Sequence, residues 1–186
     1  NMYNGQQVAE FYSNRTPINE LAKIIADEGM LYNIAHVICE RNTIGNNLID
    51  WLYNIYEYEN LWYDERDDIG FLVTAKNRDT ILADLEEAIR TDLIKINSTR
   101  TCDELMTFII NEGGRATAER GYHDDLVMSL ALAVHAYKHL IETTPLEFVT
   151  KLSHTNAPAM PSKTYKIKIK TQSGGMTEED YKWLMK

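Results

Sequence analysis

Apolar positions along the chain change their spacing several times, and each change marks an element. Gln7-Val8-Ala9-Glu10-Phe11-Tyr12 alternates as a strand does. Thr16-Pro17 then predicts a helix start, with Thr16 as N-cap and Pro17 at the first helical position. Ile18, Leu21, Ile24 and Ile25 follow at helical spacing, and Gly29 lies close to the end. Residues 34–39 are apolar except for His36, which suits a buried parallel strand. A second helix is predicted from about Ile44 through Leu48, Ile49, Leu52 and Tyr53, and Leu61-Trp62-Tyr63 forms another short strand. The order β-α-β-α-β predicts an α/β fold, a sheet joined by crossover helices.

Beyond an acidic loop (residues 64–68, expected to be solvated), Phe71-Leu72-Val73-Thr74 leads to Asn77, which predicts the cap of a third helix carrying Ile81, Leu82, Leu85, Ala88 and Ile89. Leu93-Ile94-Lys95-Ile96 alternates briefly. Ser98 or Thr99 opens a short helix through Leu105, and residues 108–111 and 115–118 flank Gly113-Gly114 as a hairpin. A helix apolar on every side then runs from about Asp124 to Ile141, which marks it as buried. After Pro145 the pattern thins. Residues 156–161 resemble a linker, Tyr165 to Lys170 alternates Lys with apolar residues as an edge strand would, and residues 177–184 suit a short helix. No internal repeat is present. The expected organisation is one domain over 1–145 and an extension of open role over 146–186.

Composition narrows the function classes. With 186 residues the chain is long enough for a single sizeable core. No apolar run approaches the roughly 20 residues that span a bilayer, so no membrane association is expected, and no signal peptide is recognisable. Cys39 and Cys102 are far apart and lack metal-ligand spacing, so free thiols in a reducing compartment are the expectation. A net charge of −9 argues against holding DNA by a general basic surface, but not against a carboxylate site that recruits divalent cations.

Two acidic landmarks stand out. His123-Asp124-Asp125 lies at the mouth of the apolar helix, where its carboxylates meet either the helix dipole or a cation. Glu40 ends the strand at 34–39, and sites in open α/β sheets form beyond the carboxyl ends of strands. The bland alternative for Glu40 is a carboxylate paired with Arg41 or an exposed amide. Together the two landmarks suit carboxylates converging on divalent cations. Paired cations roughly 3.5–4 Å apart activate water and steady the leaving oxygen in phosphodiester hydrolysis.

Three blocks in order carry a more specific resemblance: Glu40-Arg41-Asn42-x-x-Gly45, Thr74-x-Lys76-x-Arg78, and Gly121-x-His123-Asp124-Asp125-Leu126-Val127-Met128-x-Leu130-Ala131-Leu132-Ala133. Over about residues 6–140 the chain resembles the C-terminal nuclease domain of tailed-bacteriophage large terminases. The resemblance implies an RNase H-like mixed sheet flanked by helices and a two-metal endonuclease that cuts concatemeric viral double-stranded DNA during genome packaging. It implies Mg²⁺ or Mn²⁺ held by Glu40, Asp124 and Asp125, which are also the expected catalytic residues. Either aspartate could bind directly while the other caps the helix or serves a second ion. His123 is a further candidate ligand, proton relay or loop hydrogen-bonding group. Lys76 and Arg78 are candidate DNA-phosphate contacts, although Asn77 and Arg78 also suit a plain helix start. Lys166, Lys168 and Lys170 protect an edge or, second, touch DNA.

The implied partners are double-stranded DNA, an ATPase domain in the same parent chain, the capsid portal and the small terminase subunit, in the cytoplasm of an infected bacterial host. No Walker-type Gly-rich loop occurs in this chain. One departure stands out: the family's first metal-binding Asp belongs to the domain's opening strand, whereas no Asp here precedes Asp27, inside a predicted helix. The resemblance thus implies an N-terminally incomplete domain, inactive by itself, with an exposed sheet edge that invites dimerisation or a missing segment. Two other functions compete: a different RNase H-like nuclease such as a junction resolvase, and a non-catalytic module docking a motor onto the portal.

Overall fold

The computed structural model describes residues 4–143. The expected edge strand at 165–170, its three lysines and the expected helix at 177–184 lie outside the described residues. Within them the protein is a mixed helix and sheet structure: α1 (Ile18–Leu31), α2 (Thr43–Asp50), α3 (Ala75–Arg90), α4 (Thr99–Met106), the antiparallel pair β1 (Phe108–Ile110) and β2 (Ala116–Ala118), and α5 (Asp125–Thr143).

Most helix starts follow their local chemistry. Asn42 accepts from the Gly45 N–H to cap α2, and Ser98 does the same for α4 from the Thr101 N–H. At α3 the cap is Thr74 rather than Asn77. The Thr74 hydroxyl accepts from the Asn77 N–H, and the Asn77 side chain accepts from the Thr74 N–H, a reciprocal capping box with Asn in the third position. At α1 Pro17 itself stands at the cap position, so the helix starts one residue later than expected, at Ile18. Helix α2 widens into a π turn at Trp51–Ile55, so the second helical segment ends near the expected place but with a looser last turn.

The strands differ more from expectation. The hairpin forms as predicted, with Ile109 opposite Thr117. The stretch around 37–41 pairs in parallel with Leu61 and with Phe71, but only as single bridges at Val37 and Glu40. Its bonds are sound: Trp62 N–H to Val37 O at 2.9 Å, Phe71 N–H to Cys39 O at 2.7 Å, and Arg41 N–H to Phe71 O at 2.8 Å. Among the described residues this stretch is laddered along one edge, so each pairing stays short. The alternating run at 7–12 is likewise reduced to one parallel bridge, between Gln6 and Lys95. Its anchoring comes instead from side chains: the Gln7 amide oxygen accepts from the N–H groups of Asn97 and Ser98, and the Thr101 hydroxyl donates to Glu10.

Three apolar clusters hold the fold. Ala22 and Ala26 of α1 pack on Cys39, Ile49, Leu52 and Leu61. Leu85 and Ala88 of α3 meet Val127, Ala131 and Val134 of α5, where small residues let the two helices approach closely. Ile81, Met128 and Leu132 form the third, with Ile38, Phe71 and Val73 packed against it. Helix α5 is therefore covered by α3 on one side and by the short parallel strands on another. That is why its first half is apolar around nearly the whole circumference, with Leu126, Val127 and Met128 all buried in succession.

Candidate active site

Ring contacts and packing set the segment that ends at Glu40 against α5. Trp62 lies 5.9 Å from His36 and 5.0 Å from His139, ring centroid to centroid. Phe71, bridged to Glu40, lies 5.2 Å from His135 and packs with Met128 and Leu132. Position 36 is thus linked through Trp62 to His139, and position 40 through Phe71 to His135 and the Met128–Leu132 stretch nearer the start of α5. From His36 to Glu40 the strand advances about 13 Å, while from His139 back to Met128 the helix covers about 16 Å. Going from position 36 to position 40, the contacts therefore move along α5 towards its amino end.

The block beginning at Glu40 has a local structural cause. Asn42 caps α2, and Gly45 packs directly against the Glu40 carbonyl, which a Cβ at that position would approach to 1.8 Å. Glycine is required there so that the first turn of α2 can fold over the strand end. Glu40 itself is half-buried and makes no side-chain hydrogen bond or ion pair within the described residues. Its neighbour Arg41, the expected partner in the bland alternative, turns away to Asp64 at 2.9 Å and Asp68 at 2.6 Å. The acidic loop is therefore not simply solvated; it clamps Arg41. The Arg66 N–H, donated to Asp64 at 2.8 Å, holds the Asp64 carboxyl below its ordinary range, with the Asp68 N–H and Arg41 adding to the effect.

At the helix mouth, the amides of Leu126 and Val127 donate to the Glu104 carboxylate of α4, at 2.7 and 3.3 Å. Capping of α5 thus falls to Glu104, a residue that sequence reasoning passed over. No local motif signals it, because donor and acceptor are more than twenty positions apart. Neither Asp124 nor Asp125 has to serve as the cap. Asp125 is well exposed, with the His123 ring 3.9 Å away, and both side chains are largely in solvent. Asp124 is held: one carboxylate oxygen accepts from Arg78 at 2.8 Å, across a pair only 11% and 28% exposed. Arg78 also reaches the Ala116 carbonyl at 3.3 Å and the Met128 sulfur at 2.8 Å, while its buried Nε has no hydrogen-bond partner among the described residues. Of the two candidate phosphate contacts, then, Lys76 is exposed on the first turn of α3 and Arg78 faces inward to Asp124.

The donor chemistry at this edge suits a hard divalent cation, since Glu40, Asp124 and Asp125 offer only oxygen. Among the described residues, however, no three His, Cys, Asp or Glu side chains are gathered into a ready metal cluster. Models of known protein families give no match to the chain.

Proposed function

We propose that the chain is an RNase H-like nuclease domain of the phage large-terminase kind, a metal-dependent endonuclease acting on double-stranded DNA. The observation that supports this reading is the packing of α5 on the segments around Ile38, Trp62 and Phe71, with Phe71 bridged to Glu40. Glu104 and Arg41 support it by their own engagements: Glu104 takes over the cap of α5, and Arg41 pairs with Asp64 and Asp68 rather than with Glu40. Glu40, Asp124 and Asp125 are the residues that would hold Mg²⁺ or Mn²⁺, with His123 adjacent. Bound in that site, two such ions would activate water and stabilise the leaving oxygen of a phosphodiester. Arg78 fixes the orientation of Asp124 by holding one oxygen and leaving the other free. Lys76, exposed at the start of α3, suits a phosphate contact. On this reading the partners are the packaging ATPase domain, the small terminase subunit and the portal, in the cytoplasm of an infected bacterium.

A second reading has its own observation. The Arg78–Asp124 pair neutralises one of the three carboxylates, as expected if these acids are structural and the domain docks a motor onto a portal.

Plasmid cleavage in Mg²⁺ and Mn²⁺ by the gene product containing this chain, beside its Glu40→Gln variant, separates the two. Cleavage lost on substitution, together with weakened Mn²⁺ binding, supports the nuclease. Cleavage untouched by the substitution, or no cleavage with either metal, returns the domain to docking.

A further inference from the structure

A cleft of about 500 Å³ opens beside the helix mouth, lined among others by Tyr12, Arg100, Met106, Tyr122 and His123. Its lining is unusual for a plain surface groove. Tyr122 is 58% exposed and Met106 83%, and the Arg100 guanidinium lies over the Tyr12 ring at 4.9 Å from its centroid. Aromatic faces left in water cost free energy unless something covers them at work, and the volume matches a single small organic group. Tyr122 and His123 are the two residues immediately before Asp124, so the cleft adjoins the carboxylates of the proposed site.

Charge narrows the occupant. Asp103 and Glu104 also line the cleft, Glu104 with its carboxylate on the α5 amides. Two carboxylates beside one guanidinium and one imidazole do not draw a phosphate by charge. Flat faces of tyrosine, guanidinium and imidazole are instead the surfaces on which bases stack. An apolar protein segment fits less well, because only Met106 and the Thr107 methyl supply aliphatic surface among the lining residues.

We propose that this cleft takes an unpaired nucleobase of the DNA strand held at the neighbouring carboxylates, so that the protein engages a frayed or single-stranded stretch rather than fully paired duplex. The inference rests on the nuclease reading for its choice of DNA. Binding through the cleft draws on stacking, so its share of the affinity is insensitive to salt, in contrast to phosphate contacts.

The test is fluorescence anisotropy with a labelled oligothymidylate and with a blunt duplex of equal length, without divalent metal, at low and at high salt. Tyr122→Ala and Tyr12→Ala should each weaken single-strand binding roughly tenfold at both salt concentrations, with Tyr122→Phe close to wild type and duplex binding little changed. Single-strand affinity unaltered by both alanine variants overturns the proposal, as does a loss that disappears at high salt. Cleavage by the gene product containing this chain, wild type and Glu40→Gln, is measured separately. An intact nuclease with no tyrosine-dependent binding overturns the cleft alone, whereas tyrosine-dependent binding without any cleavage upholds the cleft and removes the nuclease reading.

Discussion

Removing the Glu104 carboxylate should unmake the start of α5. In Glu104→Ala the amides of Leu126 and Val127 lose their acceptor, and both residues are buried, so water replaces it poorly. A lost helix cap costs about 1 kcal/mol, and losing a carboxylate at the positive end of a helix dipole adds a comparable amount. The expected destabilisation is therefore about 2 kcal/mol, with a fall in Tm of about 4–8 °C for a chain of this size. Glu104→Gln keeps an oxygen acceptor and loses only the charge, so about half that cost is expected. Urea unfolding followed by circular dichroism reads both, and the slope with urea should stay constant. A midpoint for Glu104→Ala within about 0.5 kcal/mol of wild type would refute the capping argument. There is also a functional consequence: with Glu104 gone, Asp124 or Asp125 becomes the nearest replacement cap, so Mn²⁺ affinity should fall as well.

Other substitutions probe the remaining links. Gly45→Ala puts a Cβ 1.8 Å from the Glu40 carbonyl, so the α2 turn must move away from the strand end at a cost of about 2–3 kcal/mol; an unchanged urea midpoint contradicts this. Burial pushes the Cys39 thiol up to about 11, whereas Cys102 is exposed, so a thiol reagent at mildly alkaline pH should titrate only Cys102 within the folded protein and both cysteines in denaturant. For the same reason Cys39 makes stability fall as pH rises from about 9 towards 11, where the unfolded chain ionises and the folded one does not; Cys39→Ala should flatten that limb. Burial pushes the Asp84 carboxyl up, but hydrogen bonds from His135 and Lys138 outweigh it and the net shift is downward. The stability it contributes is present above about pH 4 and lost as pH falls through the lowered value, so Asp84→Asn should shrink the acid-side loss of stability, and an unaltered acid limb sinks that assignment.

Local order was legible where one short stretch decides it. The cap at Ser98, the hairpin flanking Gly113-Gly114 and the burial of α5 each follow from neighbouring residues, because capping, turn geometry and helical periodicity act over four residues or fewer. The two acidic landmarks were legible in the same way, as carboxylates at the ends of apolar runs. Tertiary structure alone decided what those carboxylates do. Arg78 and Asp124 are 46 positions apart, and Arg41 and Asp64 are 23, and only the packing of α3 on α5 and the folding back of the acidic loop bring them within bonding distance. Glu104 became the cap of α5 because α4 ends beside it, a matter of chain path rather than motif. Strand extent was likewise settled by partners: the run at 34–39 reads as a strand in sequence, yet Ile34 takes a left-handed φ of 56° and a ladder grows only where a second backbone lies alongside, here at single bridges. Side-chain pattern encodes what an element prefers to be; which charges meet depends on where the rest of the chain places them.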